Sequence, residues 1–119
     1  MLFEVKYKLL SALRSGRYQH TKSELQEVGT YFNEDELGEI DTCKYCALGV
    51  LMKIKGYDPL NHDNLWHDPN DPDTPSQELP SQELLEEWGM NEEEAHEIAR
   101  YNDKAEDYID VIKYIEENL

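Results

Sequence analysis

Apolar positions along this chain recur at helical spacing in five places and lose any regular rhythm between them. Leu2, Val5, Leu9, Ala12 and Leu13 share one side of a helix predicted over residues 2–14, with Lys6, Lys8, Ser11 and Arg14 elsewhere around it. Ser15-Gly16 supplies the stop, because glycine takes the left-handed conformation that commonly closes a helix. A second helix is predicted over residues 44–55, with Tyr45, Leu48, Leu51, Met52 and Ile54 turned inward. Gly49 in its interior is about 1 kcal/mol worse than Ala, so its presence predicts a close crossing with another element. Lys53 and Lys55 suit the negative end of the helix dipole, and Gly56 ends the helix.

Three more helices are predicted to complete the chain. Residues 81–88 form the first, closed by Gly89. Residues 91–101 form the second, where Asn91 and Glu94 have the spacing of a capping box. Residues 105–118 form the third, with Tyr108, Val111, Ile112, Ile115 and Leu119 as one apolar stripe. The intervening stretches are less regular. Residues 18–22 alternate as a short strand would, while residues 23–28 fit helix equally well. Residues 33–41 are acidic and read as a surface loop. Residues 56–80 are rich in Pro, Asp and Asn and read as one long irregular loop, anchored by Leu65 and Trp66. The expected fold is a single compact domain over 1–119, mainly α, with room for α+β through a short β-hairpin in the N-terminal half.

Composition narrows the function classes. The 119 residues are 39% hydrophobic and 32% charged, with net charge −16. Phosphate contacts need Lys and Arg, so this balance disfavours direct binding to nucleic acid or to an anionic membrane. The charge is segregated. Residues 1–22 carry Lys6, Lys8, Arg14, Arg17 and Lys22 against Glu4, and the rest of the chain is strongly acidic. Such an acidic body is either a well-solvated surface, held in part by attraction to the basic start, or a face that imitates nucleic acid toward a basic partner. Neither a signal peptide nor an apolar run of membrane-spanning length is recognised, which makes a reduced cytosolic setting the expectation.

Three constellations carry candidate chemistry. Cys43-x2-Cys46 followed by His62-x4-His67 falls within the general two-Cys, two-His zinc pattern. Against it stand the apolar helix that Cys46 opens and the Pro/Asp loop that holds both His residues. A thioredoxin-like pair would need a preceding strand in a βαβ unit. Around Gly16, the residues Arg14, Arg17, Tyr18, His20 and Lys22 gather beside a turn and are candidates to hold a phosphate or carboxylate. The same residues are equally suited to pairing with acids close in sequence, such as Glu24 and Glu27. The stretch "DPNDPD" at 68–73 offers oxygen ligands but lacks the mid-loop Gly and terminal Glu of an EF-hand. No metal site is assigned, no cofactor is implied, and no catalytic motif is recognised. His96 sits among charged residues and is expected in solvent. Tyr31, Phe32 and Trp66 suit a dimer face and a core equally, so the oligomeric state stays open.

"ALRSGRYQHTKSEL", "YCALGVL", the later "WGM" and the tail "YNDKAEDYIDVIKYIEENL" together resemble a family of small proteins encoded mainly by tailed bacteriophages and prophages. Its members read A-L-R-S-G-x-Y-x-Q, then C-C-L-G-V-L, and close on an N-D and I-E-x-x-L pattern. The family's adjacent cysteines are Tyr45-Cys46 here, so Cys43 has no clear counterpart. The resemblance implies a phage accessory protein in the cytoplasm of an infected bacterium, and no particular activity. The leading expectation is therefore a non-enzymatic acidic protein that binds a host or defence protein with a basic surface. The alternatives are a binder of a small anionic or nucleotide ligand at the turn around Gly16, and a zinc-stabilised binding module.

Overall fold

In the computed structural model, which describes residues 1–28, 30–33, 38–41 and 43–119 (side chains of 30–33, 38–41 and 72 apart), the first apolar stripe forms α1 (Phe3–Arg14). Val5, Leu9 and Leu13 are buried as expected, and Leu10 joins them. Ala12 is half-buried against the core. Leu2 departs from the expectation. It lies just before the helix, 52% exposed, with its side chain against Gly89.

After α1 come β1 (Gln19–His20), β2 (Gln26–Glu27), β3 (Thr30–Asn33), β4 (Gly38–Asp41) and β5 (Lys44–Tyr45), then α2 (Ala47–Ile54). The pair β6 (Leu65–Asp68) and β7 (Asp71–Pro80) precedes α3 (Gln82–Glu87), α4 (Glu92–Asn102) and α5 (Ile109–Asn118). The fold is thus α+β and not mainly α. β5 lies between β1, which it pairs in parallel, and β2, which it pairs antiparallel. β3 and β4 form an antiparallel pair, Thr30 opposite Asp41.

Two of these pairings correct the loop assignments. The expected surface loop over 33–41 contributes Asn33 to β3 and residues 38–41 to β4, and its residues 34–37 lie outside the described ones. The expected irregular stretch over 56–80 contains the β6–β7 ribbon. Its prolines made it look unable to join a ladder. A two-stranded ribbon, however, leaves an open edge on each strand, where a residue without an N–H loses no partner. Leu65 pairs with Pro80, His67 with Pro75 and Asp68 with Asp71, with register shifts between them. At the turn, Asp68 Oδ1 accepts the Asn70 N–H at 2.9 Å. Leu65 and Leu79 bury the ribbon's inner side, and Trp66 is half-buried against the core. The side chains of Tyr31 and Phe32, the other candidates for a dimer face, lie outside the described residues.

The helix predicted over 44–55 begins later, at Ala47, because Lys44 and Tyr45 are held as strand β5 and Cys46 is extended. Six consecutive residues, Ala47 to Met52, are buried. A helix covered on all sides is a central core helix, and α1, α4 and β7 pack around it. Gly49 makes the predicted close crossing: a Cβ there would lie 1.8 Å from the Leu25 carbonyl oxygen. α4 carries the predicted capping box, with Asn91 Oδ1 accepting from Glu94 N–H at 2.8 Å and Glu94 Oε1 accepting from Asn91 N–H at 3.1 Å. α5 starts at Ile109, later than the pattern suggested, with Asp107 Oδ1 accepting the Ile109 N–H at 3.1 Å. All five helices contribute to one core. Among the described residues, no helix is long and apolar enough to cross a membrane.

Candidate functional site

The basic turn is built as α1 ends. Gly16 has φ +76°, the left-handed region the stop requires. The residues grouped around it in sequence take separate places. Arg14 is ion-paired with Glu116 on α5. Lys22 Nζ lies 2.8 Å from Glu106. Tyr18 packs edge-on against Tyr45, with ring centroids 5.6 Å apart. His20 Nε2 lies 2.8 Å from the Asn102 carbonyl oxygen, and its ring is edge-on to Tyr108 at 5.0 Å. Arg17 is exposed. The acids that answer this basic segment therefore come from the C-terminal part of the chain and not from Glu24 and Glu27. Glu27 instead accepts from Thr21 Oγ1 at 2.8 Å. The hydrogen bond from Lys22 holds the Glu106 carboxyl below its ordinary pKa.

Beneath the turn is a residue that sequence reasoning missed. Asn102, at the end of α4, is 0% exposed. Its Oδ1 accepts from the Ala47 N–H at 3.0 Å, and its Nδ2 donates to the Thr21 carbonyl at 2.9 Å and to Asp103 Oδ1 at 3.1 Å. Ala47 opens α2, so Asn102 satisfies one of the donors that a helix start leaves without an internal partner. Beside it, Tyr108 OH donates within reach of the Tyr45 carbonyl at 2.5 Å and the Gln19 carbonyl at 3.0 Å. Burial raises the Tyr108 hydroxyl pKa above its ordinary value. A signal for Asn102 does exist in the sequence: it continues the buried stripe of Ala95 and Ile98 at i+7 and i+4, and a polar residue on an apolar stripe needs partners inside.

The two cysteines take different roles. Cys46 is buried, caps α2 through an N–H from Gly49 to Sγ at 3.4 Å, and has its thiol pKa pushed up to about 12 by burial. Cys43 is partly exposed. His67 Nε2 lies 2.9 Å from the His62 carbonyl oxygen. Among the described residues, no group of three or more His, Cys, Asp or Glu is placed to hold a metal ion. The Cys43, Cys46, His62, His67 pattern is therefore not assembled, because Cys46 is spent on the helix start inside the core. A thiol reagent at pH 8 is expected to modify Cys43 in the native protein and Cys46 only on unfolding, since the thiolate is the reactive form. Equal rates at the two positions in a mass-spectrometric time course would mean that the start of α2 opens in the folded state. His96 is exposed, 3.4 Å from Glu92 Oε1.

What remains is the charge. Between Lys55 and Arg100 the chain carries thirteen Asp and Glu side chains and no Lys or Arg. None of the thirteen is buried. They lie on the loop after α2, the β6–β7 ribbon, α3 and the first turns of α4. Several of the protein's cations are engaged with acids: Lys8 with Glu4 at 2.8 Å, Arg100 with Glu97 at 2.8 Å, and Arg14 and Lys22 as above. No family model matches this chain, and comparison with curated proteins and with solved structures gives no match. What the chain does is therefore read from its own geometry.

Proposed function

We propose that this is a non-enzymatic binding protein whose anionic half engages a partner protein with a basic surface. The observation that carries the reading is the run from Lys55 to Arg100, thirteen solvent-reaching carboxylates without a single Lys or Arg among them. Of the thirteen, Glu97 is paired with Arg100 and Glu94 lies 3.8 Å from the N-terminal ammonium, and a surplus of one sign steers an oppositely charged partner and rejects like-charged ones. The motif resemblance suggests the setting, a bacteriophage accessory protein acting on a host or defence protein in the bacterial cytoplasm. Nucleic-acid-binding enzymes are the class of host protein whose surfaces such an acidic face would occupy.

Affinity capture from bacterial host lysate, followed by binding measurements on the captured partner, tests this. Association should weaken by at least about tenfold between 0.05 and 0.3 M salt, because surface electrostatics are screened over roughly 8 Å at physiological ionic strength. Duplex DNA or RNA should compete. Glu83→Lys/Glu86→Lys on α3 should weaken capture without unfolding the protein. A partner held equally well by that variant in high salt would refute the reading.

A further inference from the structure

Beside the acidic surface lies an open cleft of about 340 Å³. Two extended segments make its walls. One contributes Glu24, Gln26 and Val28, the other Pro75 and Gln77 from β7. This every-second-residue pattern is that of extended chain, whose successive side chains point to opposite sides. The intervening residues agree: Leu25 is buried in the core and Glu27 turns to Thr21. The Leu25 N–H donates to the Gln77 carbonyl at 2.7 Å and ties the two walls together. Buried Leu65 also lines the cleft, and Leu60 borders it from the loop after α2.

Three features of this cleft point to one kind of occupant. Val28 and Leu60 leave large apolar side chains 59% and 49% exposed at its borders, where a concave site would cover them. Among the described residues no Lys or Arg lines it, Glu24 supplies a carboxylate and His62 an imidazole, and the elements supplying most of its wall belong to the part of the chain without Lys or Arg. Gln26 and Gln77 each bring a carboxamide, with both donor and acceptor, the pair of functions that a peptide backbone requires. We infer that the cleft seats an extended basic peptide segment of the partner, an apolar side chain lying between Val28 and Leu60 and a neighbouring Lys or Arg directed to Glu24. This rests on the acidic-binding reading above and adds the point of contact and what it selects. A face held by charge alone accepts any polycation, whereas this cleft selects basic and apolar residues in alternation.

The test uses the ¹⁵N-labelled 119-residue chain, titrated with acetyl-Lys-Leu-Lys-Leu-Lys-amide and followed by NMR. Control titrations use the Lys-Ser-Lys-Ser-Lys and Glu-Leu-Glu-Leu-Glu peptides, and spermidine. The Lys-Leu peptide should move the backbone amides of Val28 and Leu60 and the side-chain amides of Gln26 and Gln77. The Lys-Ser and Glu-Leu peptides should bind at those positions at least tenfold more weakly. Leu60→Ser and Val28→Ser should each weaken the Lys-Leu peptide by roughly tenfold, the loss expected from removing one apolar contact. Both side chains are exposed, so an unchanged melting temperature will separate lost binding from lost fold. If both lysine peptides and spermidine bind equally and shift α3 and α4, the acidic-surface reading stands and the cleft inference fails. If no peptide binds, the cleft inference fails. Equal binding of the Glu-Leu peptide overturns the requirement for a basic segment.

Discussion

Asn102→Ala is expected to lower the unfolding free energy by about 3 kcal/mol or more, the sum of two buried polar groups left without partners at about 1–3 kcal/mol each. The groups are the Ala47 N–H at the start of α2 and the Thr21 carbonyl, which Asn102 bonds at 3.0 and 2.9 Å. For a domain of this size such a loss shifts the melting midpoint by about 10 °C. Urea denaturation followed by circular dichroism measures it. Asn102→Asp separates the two functions of the carboxamide. It keeps an acceptor for Ala47 but places an oxygen where Nδ2 now donates to Thr21 and Asp103. It should also be destabilised, because acceptor then faces acceptor in a site closed to water. A fully stable Asp variant would show that the donor side of Asn102 contributes nothing.

Gly49→Ala should destabilise by about 3 kcal/mol, the upper end of the usual range for overpacking a core. Helix propensity alone predicts the opposite sign, a gain of about 1 kcal/mol. The tertiary contact decides between them. The new Cβ would meet the Leu25 carbonyl oxygen at 1.8 Å and its carbon at 2.8 Å, and both are backbone atoms that no rotamer change can move. Residues 24–28 would have to shift, straining the Cys46 N–H to Leu25 carbonyl bond at 3.3 Å and the Leu25 N–H to Gln77 carbonyl bond at 2.7 Å. The same segment is one wall of the cleft, so the variant should also weaken binding of the Lys-Leu peptide. A midpoint at or above that of the unsubstituted protein would contradict the close crossing.

Asn102 and Gly49 show where reading the chain succeeds and where it stops. Gly49 was legible as a crossing point because a glycine inside a run of Ala, Leu, Val and Met contradicts local preference and so implies a non-local reason. Its partner, Leu25, was not legible, since nothing in residues 23–28 distinguishes helix from extended chain. Asn102 carries the weaker signal of a polar residue on a buried stripe, and its partners lie 55 and 81 residues away. The basic turn was legible as a cluster of cations but not as a set of separate contacts. Its ion partners lie far along the chain: Glu116 meets Arg14 where α5 packs beside α1, and Glu106, just before α5, meets Lys22. The zinc pattern was a coincidence of spacing, undone by the place of Cys46 inside the core.

The five helices, the Asn91 capping box, the glycine stops and the surplus of negative charge follow from the residues themselves, because each depends on neighbours within about one turn or on composition alone; the starts of α2 and α5 do not. Only the folded chain decided the short strands, the place of Pro75 and Pro80 in the β6–β7 ladder, the burial of Asn102 and the meeting of residues 24–28 with β7 to form a cleft. These depend on groups far apart in sequence that must satisfy one another's hydrogen bonds and exclude water together, and no local periodicity encodes which distant partner that will be.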